Sequence, residues 1–391
     1  MRMGKFTFNN KSIVLLIKVA VLGGAERQAL GLAKYLKSKY NCKVSLVATH
    51  SNIPTPEFKE FAKECGIEKI EYFGVPSLTI KKEFSIHNLK KTVRAFIYLF
   101  KMKKGISKLK PNIIIPFLNT PSKIATLIYK SAGAQITFWH QLGLDTYSYD
   151  VLENQALKKV PFIIANAENG LDIFKEKYNI PSEKLFVLPQ YVSIKRIELD
   201  RLTLKNEFLI KSDALVIGMV AHYREEKYQE LLINAFSKIN TSKEIHLVLL
   251  GNKDNDESTL SKHNQLLELV KRKEISHRVS VLSGYPVERI LNILDIGVLV
   301  SQIEGTPNVV MEYMLYGIPV IASNHIGCRN LLENSQYVIP NEESILINKL
   351  ENLINNEAPM KLEGTLNEHR IKNYGIENYI TKLTLIINNF I

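Results

Sequence analysis

GVLVSQIEGTPNVVMEYMLYGIPVIAS, residues 297–323, holds a whole structural unit in one line. GVLVS is an apolar, β-branched run that reads as a strand, and QIEGTPN is the loop at its carboxyl end. Thr306 is suited to cap a helix whose first residue is Pro307, a position where a missing N–H costs nothing. Gly317 then stops the helix, and IPVIAS begins a second strand. Strand, helix, strand in this order is the βαβ unit of a parallel sheet.

Working outward, the rhythm continues in both directions. Upstream, SIVLLIKVAV, KVSLVATH, NIIIPFL, QITFWH and FIIANA read as strands, with helical stretches such as ERQALGLAKYLKSKY between them. After a polar, charge-mixed linker near 190–212 the series restarts with ALVIGMVA, HLVLLG, RVSVLSG and IGVLVS, with helices at 227–239, 259–274, 286–294 and 307–316. Two βα series imply two Rossmann-like halves, expected at 1–192 and 193–365, with 366–391 a terminal helix returning to the first. In such sheets ligands bind at the carboxyl ends of strands, so two facing halves are expected to form a cleft lined by those loops.

Composition bounds the class. A chain of 391 residues exceeds one compact core, and 46% hydrophobic content with mixed charge describes a folded protein rather than a disordered one. Cys42, Cys65 and Cys328 are too few and too scattered for a disulfide framework or a zinc site, so reduced thiols and a cytoplasmic setting are expected. The basic, apolar N-terminus is interrupted by Lys18 and reads as a first strand rather than a signal peptide.

The net charge of +12 is unevenly placed. Residues 81–110 hold ten Lys or Arg against Glu83, with Leu89, Val93, Phe96, Ile97 and Phe100 at helical spacing. The plain reading is a core helix with a solvated cationic face. The alternative is docking to an anionic membrane surface, peripheral at its inner face. Nucleic acid is disfavoured, because no recognition motif or basic-aromatic platform accompanies the charge.

The chemistry concentrates in the loops. Glu304 precedes the turn and Glu312 lies in the helix, with the amides around Thr306, Pro307, Asn308 and Val309 between them as a seat for phosphate. Two carboxylates that accept from hydroxyls, separated by amides that hold an anion, suit a sugar nucleotide. Two solvated surface glutamates explain the spacing equally well when it is taken alone.

The longer string decides between these readings. EGTPNVVMEYMLYGIPVIA resembles the Glu-x7-Glu signature of the retaining glycosyltransferases of family 4, which have the GT-B fold, with Tyr313 where a small residue is usual. The resemblance implies that Glu312 grips the nucleotide ribose, and that Glu304 lies by the donor sugar with Gly305 and the loop to Val309. MVAHYREEKYQELLINAF (219–236) resembles the family's diphosphate-binding stretch. Lys227 aligns there, and either Arg224 or His222 stands for the accompanying arginine. LGGAERQALGLAKYL resembles the family's Gly-Gly-Ala-Glu stretch, which places Gly23 and Gly24 by the donor phosphate and leaves Glu26 as a helix-start residue.

His140, at a strand end, corresponds to a histidine lining the donor-sugar pocket, with Trp139 packed beside it and Asn119 a weaker pocket candidate. The run LPQYVS (188–193) and the string HIGCRNLLE (325–333), where Gly327-Cys328 replaces a Gly-Gly pair, depart from the family pattern. The implied activity is transfer of a hexose-type sugar from a UDP-sugar or other nucleotide-sugar donor to a glycan, and the basic 81–110 segment suggests that this glycan is a lipid-linked one of cell-surface polysaccharide synthesis. No cofactor and no metal are expected, and Asp254-Asn255-Asp256 is read as an ordinary loop. A sugar-nucleotide epimerase or hydrolase, or a silent nucleotide-binding scaffold, are the rival readings.

Overall fold

The computed structural model describes residues 5–82, 85–142, 150–253 and 257–391; the Asp254-Asn255-Asp256 string lies outside them. The chain forms two compact units, Met1–Ser193 with Ile376–Ile391, and Ile194–Gly375.

In the first unit β1 (Ser12–Ile17), β2 (Lys43–Ala48), β3 (Ile70–Tyr72) and β4 (Ile113–Pro116) form a parallel sheet in the order β3-β2-β1-β4. A parallel bridge from Ile113 to Ile136 leads on to β5 (Trp139–Gln141), β6 (Ile163–Ala165) and β7 (Leu185–Val187). The central strand is apolar at every turn because both of its faces are covered. Ile13, Leu15 and Ile17 face one core with Leu30, Ala33 and Leu36 of the helix Gly24–Tyr40. Val14 and Leu16 face the other, with Tyr98, Met102 and Ile106 of the helix Ile86–Lys108.

The chain's last helix, Ile376–Asn388, belongs to the first of these cores through Tyr379, Ile380, Leu383 and Ile387. Phe390 stacks on Phe162 at 4.8 Å, and Asn388 Oδ1 accepts a 2.7 Å bond from the Phe6 amide. Each fully buried aliphatic side chain here contributes about 1.5–3 kcal/mol, enough to hold the segment in place. The preceding helix, Glu357–Arg370, lies within the second unit, where Asn367 Nδ2 donates to the Ile318 carbonyl at 2.8 Å. The return to the first unit therefore begins at Ile376, ten residues beyond the expected break at 366.

The second unit is a six-stranded parallel sheet of β8 (Leu215–Val220), β9 (Ile245–Gly251), β10 (Val279–Ser283), β11 (Ile296–Leu299), β12 (Val320–Ser323) and β13 (Val338–Ile339). Its order is β10-β9-β8-β11-β12-β13, so the winding reverses between β8 and β11. That reversal is the topological switch point, where crossover helices leave to opposite faces and a crevice opens at the strand ends. Among the described residues no helix is long and apolar enough to cross a membrane.

Candidate functional site

The two strands at the switch point are paired only through Ile296 with Ile217 and Gly297 with Gly218. Beyond that they part, and their loops tie to each other. The Tyr228 amide donates to the Val300 carbonyl at 3.1 Å, and the Gln302 amide to the Glu226 carbonyl at 2.8 Å. This lacing brings the Lys227 ammonium onto the Glu304 carboxylate, a short ion pair with side chains 18% and 11% exposed. Lys227 and Glu304 are thus brought together. Arg224 is not: its side chain is half exposed and, among the described residues, pairs with Glu226 at 3.8 Å. His222 is half-buried, and its carbonyl accepts a 2.9 Å bond from Gln229 Nε2.

The loop from Ser301 is braced from below. Its amide donates to Ser323 Oγ at 2.8 Å, while its carbonyl accepts from Asn341 Nδ2 at 2.7 Å and lies 2.9 Å from His325 Nε2. Gly305 and Thr306 are buried, and Gly327 lies directly beneath them: a β-carbon there would fall 1.7 Å from the Gly305 carbonyl oxygen. Gly327 alone of the expected Gly-Gly pair is thus what lets the helix Ile326–Leu331 close under the loop. Cys328 beside it is buried, and burial together with nearby Glu304 pushes its thiol well above the ordinary range. It is a packing residue and no nucleophile.

The helix after this loop runs from Asn308 to Leu315, one residue later than expected, with Pro307 rather than Thr306 at its cap and no side-chain capping bond. Pro307 keeps an extended backbone, ψ 122°, which delays the first turn. Asn308 and Val309 are half-buried, and Glu312 is buried within the helix, one position before Tyr313. Gly317 takes φ +67° and ends the turn, as its type predicts.

Tyr313 explains its own presence where a small residue is usual. Its ring fills the space over Gly297, where a β-carbon would lie 2.6 Å from the ring. Its hydroxyl accepts a 2.9 Å bond from the Val220 amide, a strand N–H in the stretch where β8 and β11 have separated. The residue is fully buried, and burial raises its hydroxyl far above the ordinary phenol range, so it stays neutral. A signal for this exists in the sequence: a glycine inside a strand marks close approach by something bulky.

The remaining candidates lie in the first unit. His140 is 2% exposed, with the rings of Phe117 and Phe138 against it at 5.1 and 5.7 Å. Its Nδ1 lies 3.0 Å from the Pro116 carbonyl, which can only accept, so the proton sits on Nδ1 and Nε2 is a bare acceptor with no partner among the described residues. Burial pulls its pKa down to about 4, so the ring is neutral. The ring is packed in from solvent, at the end of the strand where the sequence places it.

Gly23 and Gly24 stand at the start of the helix Gly24–Tyr40. The space over Gly23 is filled from within, since a β-carbon there would lie 2.9 Å from Glu26 Oε2. Glu26 is buried, and burial raises its carboxyl to about 7 against the pull of the Gly23 and Glu26 amides. The sequence alone marks this residue as no more than an ordinary helix start.

Asn119 accepts from Trp139 Nε1 at 3.3 Å and lines a cavity of about 220 Å³ with His50, Thr120, Lys123 and Glu153. The cavity lies just beyond the carboxyl ends of β2 and β4. Lys123 is buried there between Asp150 at 2.5 Å and Glu153 at 3.3 Å, a charge cluster that no motif in the sequence announces.

Comparison with known proteins agrees with this architecture. Residues 200–377 match the family described as glycosyl transferases group 1. The O-antigen biosynthesis glycosyltransferase WclY of Escherichia coli is 31% identical over 121 residues, 31% of each chain. The N-acetyl-alpha-D-glucosaminyl L-malate synthase of Bacillus anthracis is 28% identical over 136 residues, 34% of each. The match thus spans about a third of the length of these curated relatives. In overall fold the chain is similar to Anabaena Alr3699/HepE, solved in complex with UDP and glucose, with a TM-score of 0.78, 15% identity and coverage of 97% of this chain and 100% of that one. The fold is GT-B, two Rossmann-like units in one chain.

Proposed function

We propose that the protein is a retaining glycosyltransferase that moves a hexose-type sugar from a nucleotide diphosphate sugar to a lipid-linked glycan. The observation that carries this reading is the Lys227–Glu304 pair at the switch point of the second unit, beside the start of the helix Asn308–Leu315. A cation and the amides of a helix start suit a diphosphate, and Glu312 in the same helix suits ribose hydroxyls.

Bond cleavage between the anomeric carbon and the diphosphate leaves negative charge on the departing phosphate. Lys227 and the amides after Pro307 stabilise that charge, and no cofactor or metal enters the scheme. Glu304 holds the ammonium in place before the donor arrives and then accepts from a donor-sugar hydroxyl. The acceptor hydroxyl attacks the oxocarbenium-like carbon from the side the phosphate leaves, and the leaving oxygen takes its proton. Arg224, turned outward, has no part in this scheme. The cavity lined by Asn119, Lys123 and Glu153 is the acceptor seat.

The test is nucleoside diphosphate release from UDP-, GDP- and ADP-sugars, with and without membrane glycolipid, for the native protein and Glu312→Ala. Release that needs one donor and the lipid, and is lost in the variant, supports the reading. Turnover without lipid would mean a hydrolase or epimerase, and nucleotide binding without any turnover would mean a scaffold.

A further inference from the structure

The helix Ile86–Lys108 is amphipathic twice over. One face packs into the first unit through Ala95, Tyr98, Met102 and Ile106. The plain sequence reading places the remaining apolar residues in the core as well, and the structure does not. Ile86, Leu89, Val93, Phe96, Ile97 and Phe100 are each at least 51% exposed. At about 100° per residue these six fall within an arc of about 100°, on the side of the helix opposite the packed face. Six large apolar side chains in line over four turns form a continuous patch rather than the scattered exposure normal for a surface.

The charge around the stripe says what covers it. The helix carries seven Lys or Arg and no Asp or Glu. By the same helical geometry Lys90, Arg94, Lys101 and Lys108 line one edge of the stripe, Lys103 the other, and Lys104 continues it toward the carboxyl end. A second copy of the chain would bring the same cations against these, so self-association on this face is opposed. An anionic bilayer meets both requirements, with headgroup phosphates for the cations and acyl chains for the stripe.

We infer that Ile86–Lys108 is an in-plane membrane anchor, which sinks the stripe from Ile86 to Phe100 into the acyl boundary of an anionic leaflet while its lysines hold the headgroups. This deepens the acceptor half of the proposed function by seating the acceptor-side unit on the surface where a lipid-linked glycan would be found. It goes beyond charge attraction, because the contact is apolar and so persists when salt screens the cations.

The experiment is flotation of the full chain with phosphatidylcholine vesicles, with or without phosphatidylglycerol, at low and high salt. Binding is expected to need the anionic lipid and to survive in part at high salt. Phe96→Ser with Phe100→Ser, which keeps every charge and alters only exposed side chains, should weaken it roughly tenfold or more. Lys90→Glu with Lys101→Glu should weaken it at low salt. Phe96→Trp should shift its emission to the blue on binding, which a purely electrostatic contact would not produce.

Absence of binding, or binding indifferent to the two serine substitutions, overturns the inference. So does a dimer in sedimentation that those substitutions dissolve in a protein that does not float. No sugar nucleotide enters the assay, so failure to float and failure to transfer a sugar are read separately.

Discussion

Lys227 and Glu304 are bonded to each other across the seam where β8 and β11 part, although seventy-seven residues separate them in the chain. Neither is deeply buried, yet each is held: Lys227 by the Tyr228–Val300 bond beside it, and Glu304 by the closure of Gly305 over Gly327. If the pair serves the departing diphosphate, Lys227→Ala should lower kcat about 10²–10³-fold, the usual effect of losing one preorganised charge partner. Glu304→Gln should lower it less, and the double variant should fall short of the product of the two, because residues acting as a unit are not additive. Arg224→Ala should change turnover less than about threefold, since the guanidinium is half exposed and paired with Glu226. Steady-state nucleoside diphosphate release for the four variants decides the matter. Equal losses at Arg224 and Lys227 would return the arginine to the site.

Gly327→Ala should damage the same site without touching a charged residue. The new methyl would lie 1.7 Å from the Gly305 carbonyl oxygen, which is backbone and has no rotamer to change. Relief requires the 304–306 loop or the helix Ile326–Leu331 to move. Overpacking of this kind costs about 1–3 kcal/mol. Affinity for nucleoside diphosphate, read by calorimetry, should fall roughly tenfold or more while circular dichroism keeps the native helix content. Native affinity in this variant would show that the loop position does not matter to binding.

The sequence exposes this fold well because its signals are local. Each strand of the second sheet is an apolar run ended by a polar loop, and the strand–helix–strand of 297–323 can be read residue by residue. The Lys227–Glu304 pair is legible only as two members of one loop set, since sequence does not give the register that laces the loops together. For His140 the strand-end placement is legible, but the packing of Phe117 and Phe138 against the ring is not, because sequence does not say which rings meet a side chain. The 86–108 helix escapes it for a related reason: helical periodicity reports that a face is apolar, and gives no sign of what it faces. Glu26 stays hidden because nothing in Gly-Gly-Ala-Glu foretells that the carboxylate turns back over Gly23.

Tyr313 and Gly297 should behave as one unit. Gly297→Ala places a methyl 2.6 Å from the Tyr313 ring and should destabilise the protein by about 1–3 kcal/mol through overpacking. In a Tyr313→Ala background that clash is gone, so the glycine change should cost much less, a coupling of about 1 kcal/mol or more between residues in contact. Tyr313→Phe keeps the ring and removes a hydroxyl that accepts from the Val220 amide and donates toward the Gly218 and Val298 carbonyls at 3.4 Å, at a cost of about 1–3 kcal/mol if no other partner replaces it. Urea unfolding of the set tests both points. Strict additivity of the alanine changes would mean that ring and glycine do not meet.

Glu26 offers a prediction whose sign can be worked out in advance. Burial raises its carboxyl from 4.5 to about 7, so between those values the folded protein keeps a proton the unfolded chain has lost. The stability from this group is complete below pH 4.5 and declines as pH rises through about 7, by about 3 kcal/mol in all at 1.36 kcal/mol per unit. His140 acts in the opposite sense. Its pKa falls from 6.5 to about 4, so its contribution is complete above 6.5 and is lost as pH drops toward 4. Between about pH 4.5 and 6.5 the two slopes oppose each other in the native protein. Glu26→Gln removes the first and leaves the second. The variant should match the native protein near pH 4 and exceed its stability near pH 8 by up to about 3 kcal/mol, and its own stability should climb steadily with pH over the acidic range where the native profile is nearly flat. Urea midpoints at the two pH values measure the difference. A gap between variant and native protein that does not change with pH would mean that Glu26 is ionised in the folded state after all.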